Sequence, residues 1–143
     1  MFNTTQQVRD FVFAGRATLT AKSLRTGRHF TYKFKTAKGK DWPFVFVLRD
    51  HGKYDYIGMI DRNLNVHFTK KSKLLVDDIK VKALQFIAKN LTSDRISNNI
   101  ELSHNGKCGK CGRKLTHPNS LKLGIGPECQ KKKQTRYSML GQW

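Results

Sequence analysis

The sequence lacks the features that would place the chain in or across a membrane. No apolar stretch approaches the length of a bilayer span, and the N-terminus has none of the marks of a secretory signal. Cysteine is also scarce, and three thiols would leave one unpaired in a disulfide framework. We therefore expect a cytoplasmic protein with reduced cysteines and no membrane partner.

Recognisable catalytic motifs are missing as well. The sequence has no GxSxG elbow, no phosphate-binding loop, no HExxH pair and no zinc-deaminase signature. His29, His51 and His67 could still converge with scattered aspartates in the folded chain. Without a motif that links them, we expect a protein that is not an enzyme.

Acidic residues are few, with 10 Asp and Glu against 28 Lys and Arg, and the 143-residue chain has a formal net charge of +18. An excess of this size favours a polyanionic partner, because Lys and Arg neutralise phosphates and release their counterions. The charge lies at both ends: the net is +10 over residues 1–75, zero over 76–103 and +8 over 104–143. Nucleic acid, DNA or RNA, is the commonest such partner, and a generally basic soluble surface is the alternative.

The first half of the chain shows the two-residue alternation of β-strands. Residues 11–34 predict a hairpin with a turn at residues 25–27, in which apolar side chains share one face. The opposite face would then carry the cations Arg16, Lys22, Lys33 and Lys35. We predict that this basic face contacts the phosphate backbone of a nucleic acid.

Three further strands and one helix follow the hairpin. Residues 44–48 form an apolar run that predicts a central strand, either covered on both faces or strongly bent, and residues 54–60 and 64–69 predict two more. After residue 73 the period changes to that of a helix. Its apolar stripe, which we expect to contact the core, consists of Val76, Ile79, Ala83, Leu84, Ile87 and Leu91.

Aromatic residues on an outward face could stack on nucleic-acid bases, at about 1–3 kcal/mol for each base. The candidates are Tyr32, Trp42, Tyr54 and Tyr56. The phenylalanines at alternating strand positions are instead predicted to lie in the core, and a structural role is the simpler interpretation for most of the aromatic residues.

The most distinctive segment is HNGKCGKCGRKLTHPNSLKLGIGPEC, residues 104–129. Its CxxC pair, Cys108 and Cys111, can direct two sulfurs at one point, and Cys129 adds a third thiolate of the kind that zinc prefers. The segment has few large apolar side chains, so metal binding should provide its folding energy. We predict a structural Zn²⁺ site and expect this end of the chain to be disordered without the metal.

Two histidines could complete a tetrahedral shell. His104 is the predicted fourth ligand, because a strand over residues 100–103 could aim it at the metal, and His117 in the THPN turn is the alternative. A shell of three cysteines and one histidine leaves no open position for water, which favours a structural metal. A redox role for the CxxC pair is disfavoured, since no thioredoxin-like βαβ pattern precedes Cys108.

Residues 108–129, CGKCGRKLTHPNSLKLGIGPEC, resemble an uncharacterised small domain of phage, plasmid and other mobile-element proteins. Its pattern is CGxCGRxLTxPxS followed by GIGPxC, and residues 11–34 also resemble a strand pair that often precedes it. A histidine commonly stands shortly before the first cysteine in that family, so the resemblance adds weight to His104. It implies a zinc site and a mobile-element origin, hence residence in a host cytoplasm, and no catalytic residue.

These patterns predict an α+β protein: an antiparallel five-stranded sheet that could curl toward a barrel, one packed helix and a small zinc-knuckle module. Residues 1–92 would form the sheet and helix domain, 93–103 a connection, and 104–136 the zinc-binding module, with a basic tail to 143. The tail adds four candidate phosphate contacts, Lys131, Lys132, Lys133 and Arg136.

The predicted function is nucleic-acid binding with weak sequence preference, because few side chains suited to reading bases are evident. The alternative is a phage accessory protein that binds a host defence or transcription protein and inhibits or redirects it.

Overall fold

The computed structural model describes residues 1–116, 118–126 and 129. Three α-helices, six strands and one short 3-10 helix lie in these ranges. In chain order they are α1 (Thr5–Val12), β1 (Arg16–Ser23), β2 (His29–Lys35), β3 (Phe44–Leu48), the 3-10 helix (Asp50–Gly52), β4 (Tyr54–Ile60), β5 (Val66–His67), α2 (Ile79–Leu91), β6 (Ile100–His104) and α3 (Pro118–Leu123).

The six strands form one antiparallel sheet in the order β5-β4-β3-β2-β1-β6. The α+β class and the antiparallel sheet agree with the prediction, but the count of five strands was wrong. The sixth strand lies at the end of the segment predicted as a connection, where Leu102 pairs with Ala21 and is fully buried. Since β5 and β6 are the two edges and do not pair with each other, the sheet is open and does not close into a barrel.

The chain begins with a helix that the sequence pattern did not predict. Phe11 and Val12, predicted as strand residues, lie in the last turn of α1. Thr4 caps this helix, because its side chain accepts a hydrogen bond of 3.2 Å from the amide of Gln7. Val8, Phe11 and Val12 are all buried, a spacing of three and four residues that belongs to one helix face.

Helix α2 confirms the predicted change from strand to helical periodicity, but its buried face differs from the predicted apolar stripe. Asp78 caps the helix by accepting a hydrogen bond of 2.9 Å from the amide of Lys80. Leu84, Ile87 and Leu91 are buried as predicted, together with Val81 and Ala88. The expected core positions Val76 and Ile79 are instead 55% and 48% exposed, because Val76 precedes the helix and Ile79 lies outside its buried face.

One face of the sheet packs against α1 and α2. A single core of buried apolar residues joins these two helices to alternate residues of the strands, including Leu19, Phe34 and Val47. Tyr32 belongs to this core and its hydroxyl donates a 2.6 Å hydrogen bond to the carbonyl of Lys80 in α2. Burial raises the pKa of this phenol, and the ring cannot be a base-stacking surface, which corrects that prediction for Tyr32.

The other face of the sheet, called the open face below, is covered by neither α1 nor α2. Its residues are Arg16, Thr18, Thr20 and Lys22 in β1, Thr31, Lys33 and Lys35 in β2, Phe44, Phe46 and Leu48 in β3, Tyr54, Tyr56 and Met59 in β4, and Glu101 and Ser103 in β6. All of them are exposed or half-buried, whereas their sequence neighbours in the centre of the sheet are buried.

None of the helices in the described ranges combines the length and the apolar character that a bilayer crossing requires.

Candidate metal centre and nucleic-acid interface

The three cysteines converge on one point near the start of β1. Their sulfurs all lie within 4.8 Å of one another, and in the described part of the chain they form the one group of histidine, cysteine or carboxylate donors that could hold a metal. Sulfurs bound to one tetrahedral zinc ion stand about 2.3 Å from it and hence about 3.8 Å apart, a spacing that sulfurs within this limit can adopt around a metal. The geometry therefore fits a metal held by Cys108, Cys111 and Cys129.

A tight turn sets the position of the first two cysteines. The amide of Cys108 donates to the carbonyl of Arg113 at 2.8 Å, and the amide of Gly112 donates to the carbonyl of Cys108 at 2.9 Å. Lys107 and Lys114 pair across this turn as an isolated antiparallel bridge. Gly112 has a φ of 77°, so the turn requires the left-handed conformation that glycine adopts without strain.

Backbone amides face the buried sulfur of Cys108. Gly126 and Lys110 direct their N–H groups at this sulfur, with N to S distances of 3.2 and 3.4 Å. Burial opposes ionisation, but these amides together with Cys111 outweigh it and lower the pKa of the Cys108 thiol to about 7. Such a sulfur is prepared to act as a thiolate ligand.

The pKa of the Cys129 thiol shifts in the opposite direction. Burial, followed by its interactions with the thiols of Cys108 and Cys111, raises the pKa of Cys129 to about 11. Three thiolates this close together would repel one another without a cation, so the group favours the binding of a positive charge. A divalent metal would supply that charge and keep all three sulfurs deprotonated.

The cysteine module, meaning the described residues after 104, rests directly on α1. Gly109 and Gly124 lie against the Phe11 ring, where added Cβ atoms would approach its Cδ1 to 2.6 and 2.8 Å. A hydrogen bond of 2.7 Å from the amide of Gly109 to the carbonyl of Gly124 joins the two segments. A second bond, of 2.6 Å, runs from the amide of Arg16 to the carbonyl of Gly109 and attaches the module to the first residue of β1.

His104, the predicted fourth ligand, does not belong to this sulfur group. Its Nδ1 accepts a hydrogen bond of 2.9 Å from the amide of Gly106, and its Nε2 is hydrogen-bonded to the carbonyl of Leu121. The ring packs against both Phe2 and Phe11, with centroid distances of 5.6 and 5.8 Å. The imidazole thus connects β6 to α3, and His117, the alternative ligand, lies outside the described residues.

The four strand cations of the predicted interface share the open face. Arg16, Lys22, Lys33 and Lys35 are all exposed, and Arg16 stands opposite Lys35 in the register of β1 and β2. Like charges in direct opposition destabilise a sheet, so stability gives no reason for this pair. The four tail candidates, Lys131, Lys132, Lys133 and Arg136, lie outside the described residues.

Aromatic side chains occupy the same face on the neighbouring strands. Phe44 and Phe46 were predicted to lie in a central strand that is covered on both faces or strongly bent, and they are half-buried on the open face. The Tyr56 ring lies between them, 5.5 Å from Phe46 and 6.1 Å from Phe44 between centroids. The continuous apolar run concealed this arrangement, because alternation cannot be read where every residue is apolar.

Two further aromatic contacts lie on this face. The Nζ of Lys33 stands 5.4 Å from the centroid of the Tyr54 ring, in a cation–π contact across β3. Trp42, which is 39% exposed, stacks on the His67 ring at 4.9 Å beside the β5 edge. Of the four predicted stacking residues, Trp42, Tyr54 and Tyr56 therefore remain accessible.

Residues 103–133 match the model of a family of unknown function, DUF6011. This segment includes all three cysteines, so the candidate metal centre lies within the matched part of the chain. Neither a curated protein nor a solved structure matches the chain.

Proposed function

We propose that this protein binds nucleic acid without acting as an enzyme, that a structural zinc ion stabilises its C-terminal module, and that it originates from a phage or another mobile element. The observation that carries the proposal is the open face, where four cations and several aromatic rings occupy one uncovered side of the sheet. The sequence resemblance to mobile-element domains supports the origin.

The charge of the open face supports a polyanionic partner. In the described part of the chain no carboxylate forms a salt bridge with Arg16, Lys33 or Lys35. Glu101 is the acidic residue of this face, and it stands opposite Lys22 in the edge strand β6. An extended, unneutralised row of cations attracts phosphates and releases their counterions on binding.

Zinc is the metal that we propose for the cysteine group. Cys108, Cys111 and Cys129 would hold it as thiolates, and His117 is a candidate for the fourth ligand. A closed shell of this kind crosslinks the chain and performs no chemistry on a substrate. Through the bond between Gly109 and Arg16, the metal would also fix the module next to the basic end of β1.

Affinity for oligonucleotides at increasing salt concentration tests this function. The double variant Lys33→Glu and Lys35→Glu should bind much more weakly than the original chain, and each lost phosphate contact should flatten the slope of log K against log salt by about 0.7–0.9. The matched control is Lys82→Glu with Lys89→Glu, which changes the total charge equally on exposed positions of α2. Equal weakening by both pairs would show that affinity follows net charge and not this face.

A second candidate function is binding to a host defence or transcription protein. It is favoured by Ile79 and Phe86, which are 48% and 50% exposed and stand two helical turns apart on one side of α2. A pull-down from nuclease-treated lysate tests it. One stoichiometric partner that Phe86→Ser releases and Lys33→Glu retains would support this function, and loss of every partner after nuclease treatment would support nucleic-acid binding.

A further inference from the structure

The open face is divided into a cationic half and an aromatic half. β1 and β2 contribute Arg16, Lys33 and Lys35, while β3 and β4 contribute Phe44, Phe46 and Tyr56. The boundary runs between β2 and β3, where Lys33 stands opposite Phe46 and Lys35 opposite Phe44. Each lysine therefore has an aromatic neighbour on the next strand, about 5 Å away.

Core packing does not account for the aromatic half. The rings of Phe44, Phe46 and Tyr56 lie on the side of the sheet that is away from α1 and α2, and they take no part in the buried core. A register shift between Val45 and Phe46 keeps Phe46 opposite Tyr56 on this face. Bulges commonly re-aim side chains next to functional sites.

An aromatic ring and a cation on neighbouring strands can bind the base and the phosphate of one unpaired nucleotide. A base has a flat face that stacks on an aromatic ring, and its phosphate lies one sugar away. In a duplex the bases are stacked on each other inside the helix, so a sheet surface can touch the phosphates but cannot reach the base faces. Rings on the open face therefore contribute to binding only if the bases are unpaired.

We propose that the open face binds single-stranded nucleic acid, with bases stacked on Phe46, Tyr56 and Phe44 and phosphates held by Lys33, Lys35 and Arg16. This inference rests on the proposed function and specifies its ligand. Stacking accepts any base, so the face binds single strands with little sequence preference. The duplex form of the same sequence loses the aromatic contacts and keeps only the phosphate contacts.

The test measures fluorescence anisotropy with four labelled probes of equal length: oligo(dT), oligo(U), a DNA duplex and a strand of abasic sites. The two single strands should bind roughly tenfold or more tightly than the abasic strand, which has phosphates but no bases. Phe46→Leu and Tyr56→Leu keep an apolar side chain but remove the flat ring. Each should weaken oligo(dT) binding several-fold and leave abasic-strand binding unchanged.

Phe86→Leu on α2 is the matched control, because Phe86 is an exposed phenylalanine on the opposite side of the molecule. It should bind every probe like the original chain. Thermal unfolding of each variant shows whether the fold is intact. If a leucine variant does not fold, chemical-shift perturbation by oligo(dT) in the original chain replaces it, and shifts at Phe46 and Tyr56 are expected.

The outcomes separate this inference from the proposed function. Equal affinity for duplex, abasic strand and oligo(dT), with Lys33→Glu still harmful, overturns the single-strand assignment and leaves nucleic-acid binding in place. Absence of binding to all four probes overturns both. Competition by poly-glutamate as effective as that by oligo(dT) shows that the face accepts acidic peptides, and it also overturns the assignment.

Discussion

The sheet with its two helices and the cysteine module differ in what holds them together. Twenty buried apolar residues form the core between the sheet and helices α1 and α2. The described part of the cysteine module has a cluster of only four buried apolar residues, Cys108, Leu115, Ile125 and Cys129, with Ala14 against them. Half of these four are proposed metal ligands.

This difference predicts two separate sources of stability. Burial of apolar surface stabilises the sheet by about 25 cal/mol for each Å² removed from water, and it does so without any ligand. The module cannot close a comparable core, so the proposed zinc ion would provide its order through bonds to the thiolates. The two regions should therefore respond differently when either the metal or the apolar core is removed.

Removal of the metal should have the largest effect, and it should be confined to the module. With Cys108→Ser, or after treatment with a strong chelator, we expect stoichiometric zinc to be lost, together with protection of the Gly109 and Gly124 amides from hydrogen exchange. Structural zinc sites contribute about 10–16 kcal/mol of apparent binding free energy, which is enough to decide whether such a module folds. Amides in β2 and β3 should remain protected, and loss of their protection would contradict the separation.

Truncation in the core is the reciprocal experiment. Leu84 in α2 is 1% exposed, and Leu84→Ala should lower the free energy of unfolding of the sheet by about 2–5 kcal/mol. The matched control is Leu121→Ala in α3, because Leu121 is 41% exposed and leaves no cavity. Denaturant unfolding measures both variants. Zinc content should stay stoichiometric in Leu84→Ala under conditions where the sheet remains folded.

The sequence predicted the convergence of the three cysteines better than it predicted the contacts around them. The spacing of Cys108, Cys111 and Cys129 was sufficient to predict that they converge, since zinc ligands must meet at one point. The role of His104 could not be predicted in this way. Its two hydrogen-bond partners come from Gly106 and from Leu121, and the second contact exists only because α3 folds back toward β6.

In the fold as well, the sequence pattern predicted some features and failed to predict others. Alternation predicted which side of β1 and β2 carries the cations, because small or apolar residues interrupt them at every second position. Alternation failed in α1, where the apolar pair Phe11 and Val12 fits a strand as well as a helix and Thr4 provides an N-terminal cap. It also failed in β3, where the run FVFVL is apolar on both sides and only tertiary packing determines which face is covered.

A smaller effect is expected from the hydroxyl that joins the sheet to α2. Tyr32→Phe removes the hydrogen bond of 2.6 Å to the Lys80 carbonyl but keeps the buried ring. The free energy of unfolding should fall by about 1 kcal/mol, the usual net value of one hydrogen bond, with zinc content unchanged. Tyr54→Phe on the open face is the control and should change stability little. A loss for Tyr32→Phe as large as that for Leu84→Ala would show that packing, and not the hydrogen bond, had been disturbed.

The smallest expected effect is on the stability of the sheet at acidic pH. Asp61 accepts a 2.8 Å hydrogen bond from the His67 ring, and this bond, followed by the amide of Asn65, lowers the pKa of the carboxyl from 3.8 to about 2. A lowered pKa stabilises the sheet above about pH 4, and the stabilisation is lost as the pH falls from 3.8 through 2. Asp61→Asn should therefore flatten the decline of stability with pH in this range, whereas the exposed control Asp94→Asn should follow the original curve.

Acid should disrupt the cysteine module and the sheet at different pH values. Protonation of thiolates competes with the metal, so zinc should leave the module before the pH is low enough to protonate Asp61. Zinc release measured with a chromophoric chelator should precede loss of the circular dichroism of the sheet on the same titration. In Asp61→Asn the pH of zinc release should be unchanged, and only the pH at which the sheet loses its circular dichroism should shift. Coincident transitions in both proteins would mean that sheet and module unfold as one unit.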